Sequence, residues 1–332
     1  MSQFSTPAAV HHMSQVIGGT DHSISMFLLD ANRIGEQLAS LDTLCTFIAR
    51  YEPLRKLFLS NNGITDRGAQ LLAQSLLAQG NIEKLALGRN EIGDAGVASI
   101  CQLLLVEGSS LKSLDVAKNT AITSAGIQHL CTSMAESRLT SLSLCHVPLS
   151  ASSCAAIGNV LALSHSPLKK LKLSGCKLGD RNLSIISKAL LSNNRLEYLD
   201  VDFNGITCLG ATALANDIAS SRTLRYLTVR DNSISDAGAI ALADTLERNQ
   251  SLQQLVLENN KIGVRGVRAL VHRLQQNRTL QHLFLGDEIS EASVEILARA
   301  TVSGSVVAEL DIGDRSLLLD AINAFSVPRP GC

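Results

Sequence analysis

Cys145 and His146 are neighbours, and a thiol beside an imidazole is the pairing that activates a cysteine nucleophile. Handing over the proton requires both side chains on one side of the backbone. The residues around them alternate as a strand does, and adjacent strand residues point to opposite faces, so the pair does not assemble. Cys176 and Cys154 would add two sulfur ligands, but the spacing matches none of the short Cys and His pairs that enclose zinc. Lys169, Lys170 and Lys172 gather three ammonium groups that could receive an acidic partner or a phosphate; the plainer reading is a solvated charge run. A backbone cradle for phosphate needs G-x-x-x-x-G-K-[ST], which occurs nowhere. His11 and His12 fall outside any pattern. Sequence therefore predicts no catalytic residue, no cofactor and no metal site, and a chain that is not an enzyme.

The bulk numbers narrow the partners. The chain has 332 residues, 45% of them hydrophobic and 18% charged, with a net charge of -1. That balance exerts no general pull on nucleic acid or an anionic membrane. No stretch approaches the roughly 20 apolar residues that span a bilayer. The segment before residue 24 lacks a basic region followed by an apolar one, so no secretory leader is expected. Eight cysteines lie scattered without close pairing, as reduced and mostly buried thiols do. The expected location is the cytoplasm, or else the nucleus. Three Asn-x-Ser/Thr triplets, at Asn182, Asn249 and Asn277, have no meaning without secretion.

What must position any functional residue is a sentence repeated about every 28 residues, a period that signals a stacked repeat architecture. The clearest copy reads Leu54-x-x-Leu57-x-Leu59-x-x-Asn62-x-Ile64, followed by Gly68, Leu72 and Leu76. The frame opens at Ile24, Leu54, Ile82, Leu111, Leu139, Leu168, Leu196, Leu224, Leu252, Leu280 and Val307. Within one copy, Leu227 and Val229 fall on one side of a short strand, and Tyr226, Thr228 and Arg230 on the other. Ser235 and Asp236 are candidate N-caps for the helix carrying Ile240, Leu242, Ala243 and Leu246. Each unit is thus strand, turn, helix and loop, and strands that return through a helix are parallel. Strands stack at about 4.8 Å and helices need about 10 Å, so the helices take the outer side and the stack curves into a horseshoe. The expected fold is an α/β solenoid of about 11 repeats, with a concave parallel sheet and outer helices.

Asparagine recurs at Asn32, Asn62, Asn90, Asn119, Asn204, Asn232 and Asn260, just past the strand and facing inward. A buried amide there must be paired, and the turn backbones of adjacent repeats can pair it. Val147 and Cys176 replace it in the fifth and sixth units, a locally weaker ladder. Glycines at 68, 96, 126, 210, 238 and 266 allow close packing at the helix start. The frame has no break, which predicts one cooperative solenoid over residues 24–317, a flexible lead over 1–23, and a tail or cap over 318–332.

These residues carry a resemblance. Leu-x-x-Leu-x-Leu-x-x-Asn-x-Ile followed by Asp-x-Gly resembles the ribonuclease-inhibitor-like class of leucine-rich repeat proteins, over about Ile24 to Leu317. The class includes the repeat domains of NOD-like receptors and the Ran GTPase-activating protein. The resemblance implies a scaffold that holds other proteins on its concave face and rim loops. Only about 23 residues precede the repeats, so no NTP-binding module is expected. The ending Ser326-Val-Pro-Arg-Pro-Gly-Cys332 is not the acidic tail of the GTPase activator, and Cys332 is not placed for prenylation.

Function is then sought at outward strand positions, which the fold does not need. Tyr198 and Tyr226 occupy one position in consecutive repeats and should lie side by side. Asp200, Asp202, Thr228, Arg230, Asp231 and Glu258 surround them, and Lys170 and Lys172 adjoin them. Tyrosine and arginine are the usual anchors of interfaces. The expectation is a protein-binding face made of Tyr198, Asp200, Asp202, Tyr226, Thr228, Arg230, Glu258, Lys170 and Lys172, with no nucleic acid, membrane or small-molecule substrate. The alternative is a regulator, either an inhibitor or a GTPase-activating partner.

Overall fold

Each leucine frame becomes a three-residue strand whose middle side chain is swallowed by the core. The computed structural model describes residues 6–18, 24–286, 289–302, 309–313 and 315–326. The frame opening at Val307, the thiol of Cys332 and most of the residues flanking the first helix lie outside them. The chain divides into two compact units, Met1–Leu173 and Ser174–Cys332. The division falls inside the sixth repeat, where sequence shows an unbroken frame.

In the first unit, β1 (Met26–Leu28), β2 (Lys56–Phe58), β3 (Lys84–Ala86), β4 (Ser113–Asp115), β5 (Ser141–Ser143) and β6 (Lys170–Lys172) pair in sequence order, all parallel. Helices α1 (Pro7–Gly18), α2 (Leu38–Ile48), α3 (Asp66–Gln79), α4 (Asp94–Leu105), α5 (Ser124–Ala135) and α6 (Ala151–Ala162) accompany them. Each of α2 to α6 follows its strand. Helix α1 precedes the repeats, in the segment that sequence leaves as a lead; it packs against α2 and buries Val10.

The second unit begins with α7 (Gly179–Leu190). Its strands β7 (Tyr198–Asp200), β8 (Tyr226–Thr228), β9 (Gln254–Val256), β10 (His282–Phe284) and β11 (Glu309–Asp311) pair in order and in parallel. They alternate with α8 (Cys208–Ile218), α9 (Ser235–Arg248), α10 (Val264–Leu274), α11 (Glu291–Val302) and α12 (Arg315–Ser326). Helix α12 takes in part of the segment assigned from sequence to a tail.

The predicted inward leucines form the core. Leu57, Leu85, Leu142, Leu171, Leu199, Leu255 and Leu283 are all fully buried, as are Leu72 and Leu76 on the helix side. Each such side chain contributes about 1.5–3 kcal/mol.

The turn after each strand leaves buried amides that no strand or helix satisfies, and asparagine satisfies them. The Asn232 amide donates to Val201 O at 3.2 Å and Val229 O at 2.8 Å. Its oxygen accepts from Asn204 N at 3.0 Å and Ile206 N at 2.9 Å, both in the preceding repeat. Asn90 makes the same set of bonds in the first unit, and Asn62 accepts from Asn32 N and Ile34 N while donating to Leu29 O and Ser60 O. Cys176, in the asparagine position, has a thiol that lies 3.7 Å from Ser174 O and carries no amide to repeat the asparagine pattern. In all nine turns whose ladder position is described, the residue before it has φ between +53° and +67°. Gly175 suits that conformation, whereas an ordinary side chain there costs about 1–2 kcal/mol.

A second ladder was not expected. Asp236 does not cap its own helix, whose N-cap residue is Ile234 without a side-chain cap bond. Its carboxylate instead accepts from Gly263 N and Gly266 N, both at 2.8 Å, and so caps the helix of the next repeat. Asp66 does this for Gly93 and Gly96, Asp94 for Thr123 and Gly126, and Asp180 for Thr207 and Gly210. The anion sits where a helix N-terminus is most positive. Burial pushes the Asp94 carboxyl up, but the Thr123 hydroxyl and amide and the Gly126 amide outweigh it and hold that carboxyl below its usual range. The recurring glycine is explained by the same contact, since a Cβ on Gly96 would lie 2.5 Å from Asp66 Oδ1.

Two substitutions separate the contributions. Leu227→Ala should destabilise the fold by about 2–5 kcal/mol through the cavity it leaves. Asn232→Ala removes fewer atoms but orphans two buried amides and two carbonyls, and should cost about 3 kcal/mol or more. Chemical denaturation of both variants measures these losses; an Asn232→Ala cost below about 1 kcal/mol would contradict the ladder.

Candidate protein-binding face

The outward side of β7, β8 and β9 brings most of the sequence-predicted residues together. Pairing aligns Tyr198 with Tyr226 and Tyr226 with Gln254, and aligns Asp200 with Thr228 and Thr228 with Val256. The Tyr198 and Tyr226 rings lie 6.3 Å apart between centroids and are tilted by 35°, a contact of about 0.5–1.5 kcal/mol.

Asp202 organises the polar part. Its Oδ1 accepts from the Thr228 hydroxyl at 2.5 Å and the Arg230 amide at 2.7 Å. Its own amide donates to Asp200 Oδ1 at 3.1 Å. Burial pushes the Asp202 carboxyl up to about 6; the Thr228 hydroxyl bond pulls it down and the Asp200 charge adds to the rise. Arg230 Nε lies 3.0 Å from Asp231 Oδ2 and 3.3 Å from Glu258 Oε2. Such partly exposed ion pairs are worth about 1 kcal/mol or less each, but together they fix the guanidinium. Tyr198, Asp202, Tyr226, Arg230, Gln254 and Glu258 line an open depression of about 160 Å³.

Two expectations change. Asp200 and Thr228 point outward as predicted, yet each is only 8% exposed. Neighbouring side chains on the short strands cover them, and Thr228 is tied to Asp202, so Thr228 does structural work that its outward direction hides. Lys170 and Lys172 lie on β6 in the first unit, half-buried and paired in register with Ser141 and Ser143. Asp231, in the turn after β8, also belongs to this surround: its carboxylate accepts from the Asn259 side-chain amide at 2.8 Å.

The first candidates for chemistry do not form a site. Cys145 and His146 sit past the end of β5, with Cys145 half-buried and His146 exposed in a left-handed turn at φ +59°. Cys154 and Cys176 are buried. Among the described residues, no group of three or more His, Cys, Asp and Glu side chains could hold a metal. Desolvation raises Cys45, Cys101 and Cys154 to about 11 and Cys131 to about 12, which leaves these thiols protonated and unreactive. No described helix is long and apolar enough to cross a membrane.

Stacked strand–turn–helix units with a leucine core and an asparagine ladder define a leucine-rich repeat solenoid. The family model described as Leucine Rich repeat matches residues 52–73, 81–101, 109–131, 192–215, 220–243 and 248–271. The Ribonuclease inhibitor of Sus scrofa is 29% identical over 155 residues, which cover 46% of this chain and 34% of that protein. The Ribonuclease inhibitor of Mus musculus is 30% identical over 168 residues, covering 50% of this chain and 30% of that protein. The matched segment thus spans about a third of these relatives. A solved structure titled as the Rad7 and Elc1 complex in yeast shares the fold, with a TM-score of 0.55 and 17% identity over 100% of this chain and 87% of that one. The chain is a leucine-rich repeat protein, and its repeats are of the ribonuclease-inhibitor-like class.

Asp202 makes a pH test possible. Its folded pKa is raised, so the folded state holds a proton that the unfolded chain releases. The stability this proton confers is full below about pH 4 and is lost as pH rises through about 6. Asp202→Asn keeps both accepted hydrogen bonds without the charge. Its melting temperature should match the parent near pH 4 and exceed it at pH 7.5; a variant that melts lower at pH 7.5 would show the carboxylate to be stabilising.

Proposed function

We propose that this chain is a non-enzymatic scaffold that binds a partner protein on the outward strand face of its second unit, around Tyr198, Asp200, Asp202, Tyr226, Thr228, Arg230 and Glu258. The observation that carries this reading is the partly desolvated Asp202 carboxyl on a face the hydrophobic core does not use. A solvated sheet face has no reason to hold a carboxyl near pKa 6, whereas binding sites often do. The paired tyrosines add rigid contact area at low entropic cost. Lys170 and Lys172 are proposed as a separate basic element of the first unit that receives acidic groups. The buried thiols of Cys45, Cys101, Cys131 and Cys154, none in a disulfide, suit a reducing compartment, so the proposed setting is the cytoplasm or nucleus.

A second reading, inhibition of an enzyme, is favoured by the pig and mouse relatives named Ribonuclease inhibitor. Titrating the purified chain into a pancreatic-type ribonuclease assay tests it directly. Stoichiometric loss of turnover would support inhibition, and unchanged turnover would leave the scaffold reading alone.

Tyr198→Ala combined with Tyr226→Ala tests the face. The double variant should keep its melting temperature and weaken binding to a partner recovered by proximity labelling by about 2 kcal/mol, roughly 30-fold. Unchanged affinity would move the site elsewhere, with Lys170 and Lys172 as the next positions to vary.

A further inference from the structure

The turn conformation with positive φ recurs in the nine turns whose ladder position is described, and four of them fill it with residues at ease there: Asn61, Gly175, Asp231 and Asn259. The seventh repeat places Phe203 there, at φ +54°, with its side chain 55% exposed. The turn needs only the Phe203 backbone, whose N–H donates to Arg230 O at 3.0 Å. The phenyl ring thus combines backbone strain with exposed apolar surface and returns nothing to the core.

Two more departures follow at the start of α8. Cys208 stands where Asp66, Asp94, Asp180 and Asp236 carry the carboxylate that caps the next helix. Leu209 follows, 72% exposed, where the equivalent positions are Arg67, Ala95, Ala125, Ala237 and Arg265. Phe203 and Leu209 thus place two large apolar side chains in water close together in sequence, and strain kept at an exposed side chain points to function.

We propose that this loop, residues 202–209, carries the Tyr198–Tyr226 face over its edge and anchors, through Phe203 and Leu209, a partner segment in which apolar side chains are interspersed with lysine or arginine. Continuity supports this, because Asp202 both lines the depression and precedes Phe203. Charge supports the partner's chemistry, because Asp200, Asp202, Asp231 and Glu258 outnumber Arg230 around it. The inference rests on the outward face being an interface.

Phage-displayed random 16-residue peptides selected on the full chain provide the probe. Enriched sequences should combine aromatic or aliphatic residues with basic ones. Synthetic versions should bind Phe203→Asn and Leu209→Arg at least tenfold more weakly than the parent. Phe203→Asn should also melt at the same or a higher temperature, because asparagine is at ease in the turn; this separates a binding anchor from a structural one. Selection without enrichment, or peptides that bind both variants within twofold of the parent, would overturn the inference. If those peptides still lose affinity with Tyr198→Ala and Tyr226→Ala, the face survives and only the loop fails. Peptides indifferent to all four substitutions remove both.

Discussion

Every repeat of this protein must hide a turn whose amides and carbonyls have no strand or helix to pair with. One asparagine side chain meets that requirement for two repeats at once. Asn232 gives its two protons to carbonyls at Val201 and Val229 and takes two amide protons from the turn of the preceding repeat. An unpaired buried amide costs about 1–3 kcal/mol, so an unsatisfied turn would cancel much of what a buried leucine contributes. Where asparagine holds the position, the polar seam and the leucine core close together; the fifth and sixth repeats bury Leu142 and Leu171 with Val147 and Cys176 in its place. The sixth repeat, where Cys176 takes the asparagine position, is also the repeat in which the two compact units divide.

Much of this was legible in the residues. The leucine frame placed each strand, and period two separated Leu227 from Tyr226 and Thr228. The inward asparagine announced its partners because a buried amide must have them. Signals that cross repeats were less visible. Asp236 looked like a cap for the helix it begins, and only geometry shows it serving Gly263 and Gly266 in the next unit. The glycines looked like packing residues, and the carboxylate beside Gly96 gives the sharper reason.

The candidate face was half legible. Alignment of Tyr198 with Tyr226 follows from the period alone, and the structure pairs them. Exposure did not follow, because a strand of three residues leaves Asp200 and Thr228 beneath their neighbours. Alternation reports direction, not depth. Phe203 escaped notice because turn positions carry no periodic signal; only its φ and exposure single it out.

The displaced carboxylate has a consequence for how such a chain can change over time. Asp66 lies at the start of one helix and the amides it serves, Gly93 and Gly96, begin the next. No stretch one repeat long contains both halves of that contact. A duplicated or transplanted repeat therefore arrives with a donor for its successor and a need to be met by its predecessor, much as one tile must match two edges. Inheritance in this protein works on adjacent pairs, and a repeat that loses its aspartate, as the seventh has with Cys208, passes the deficit forward to its neighbour.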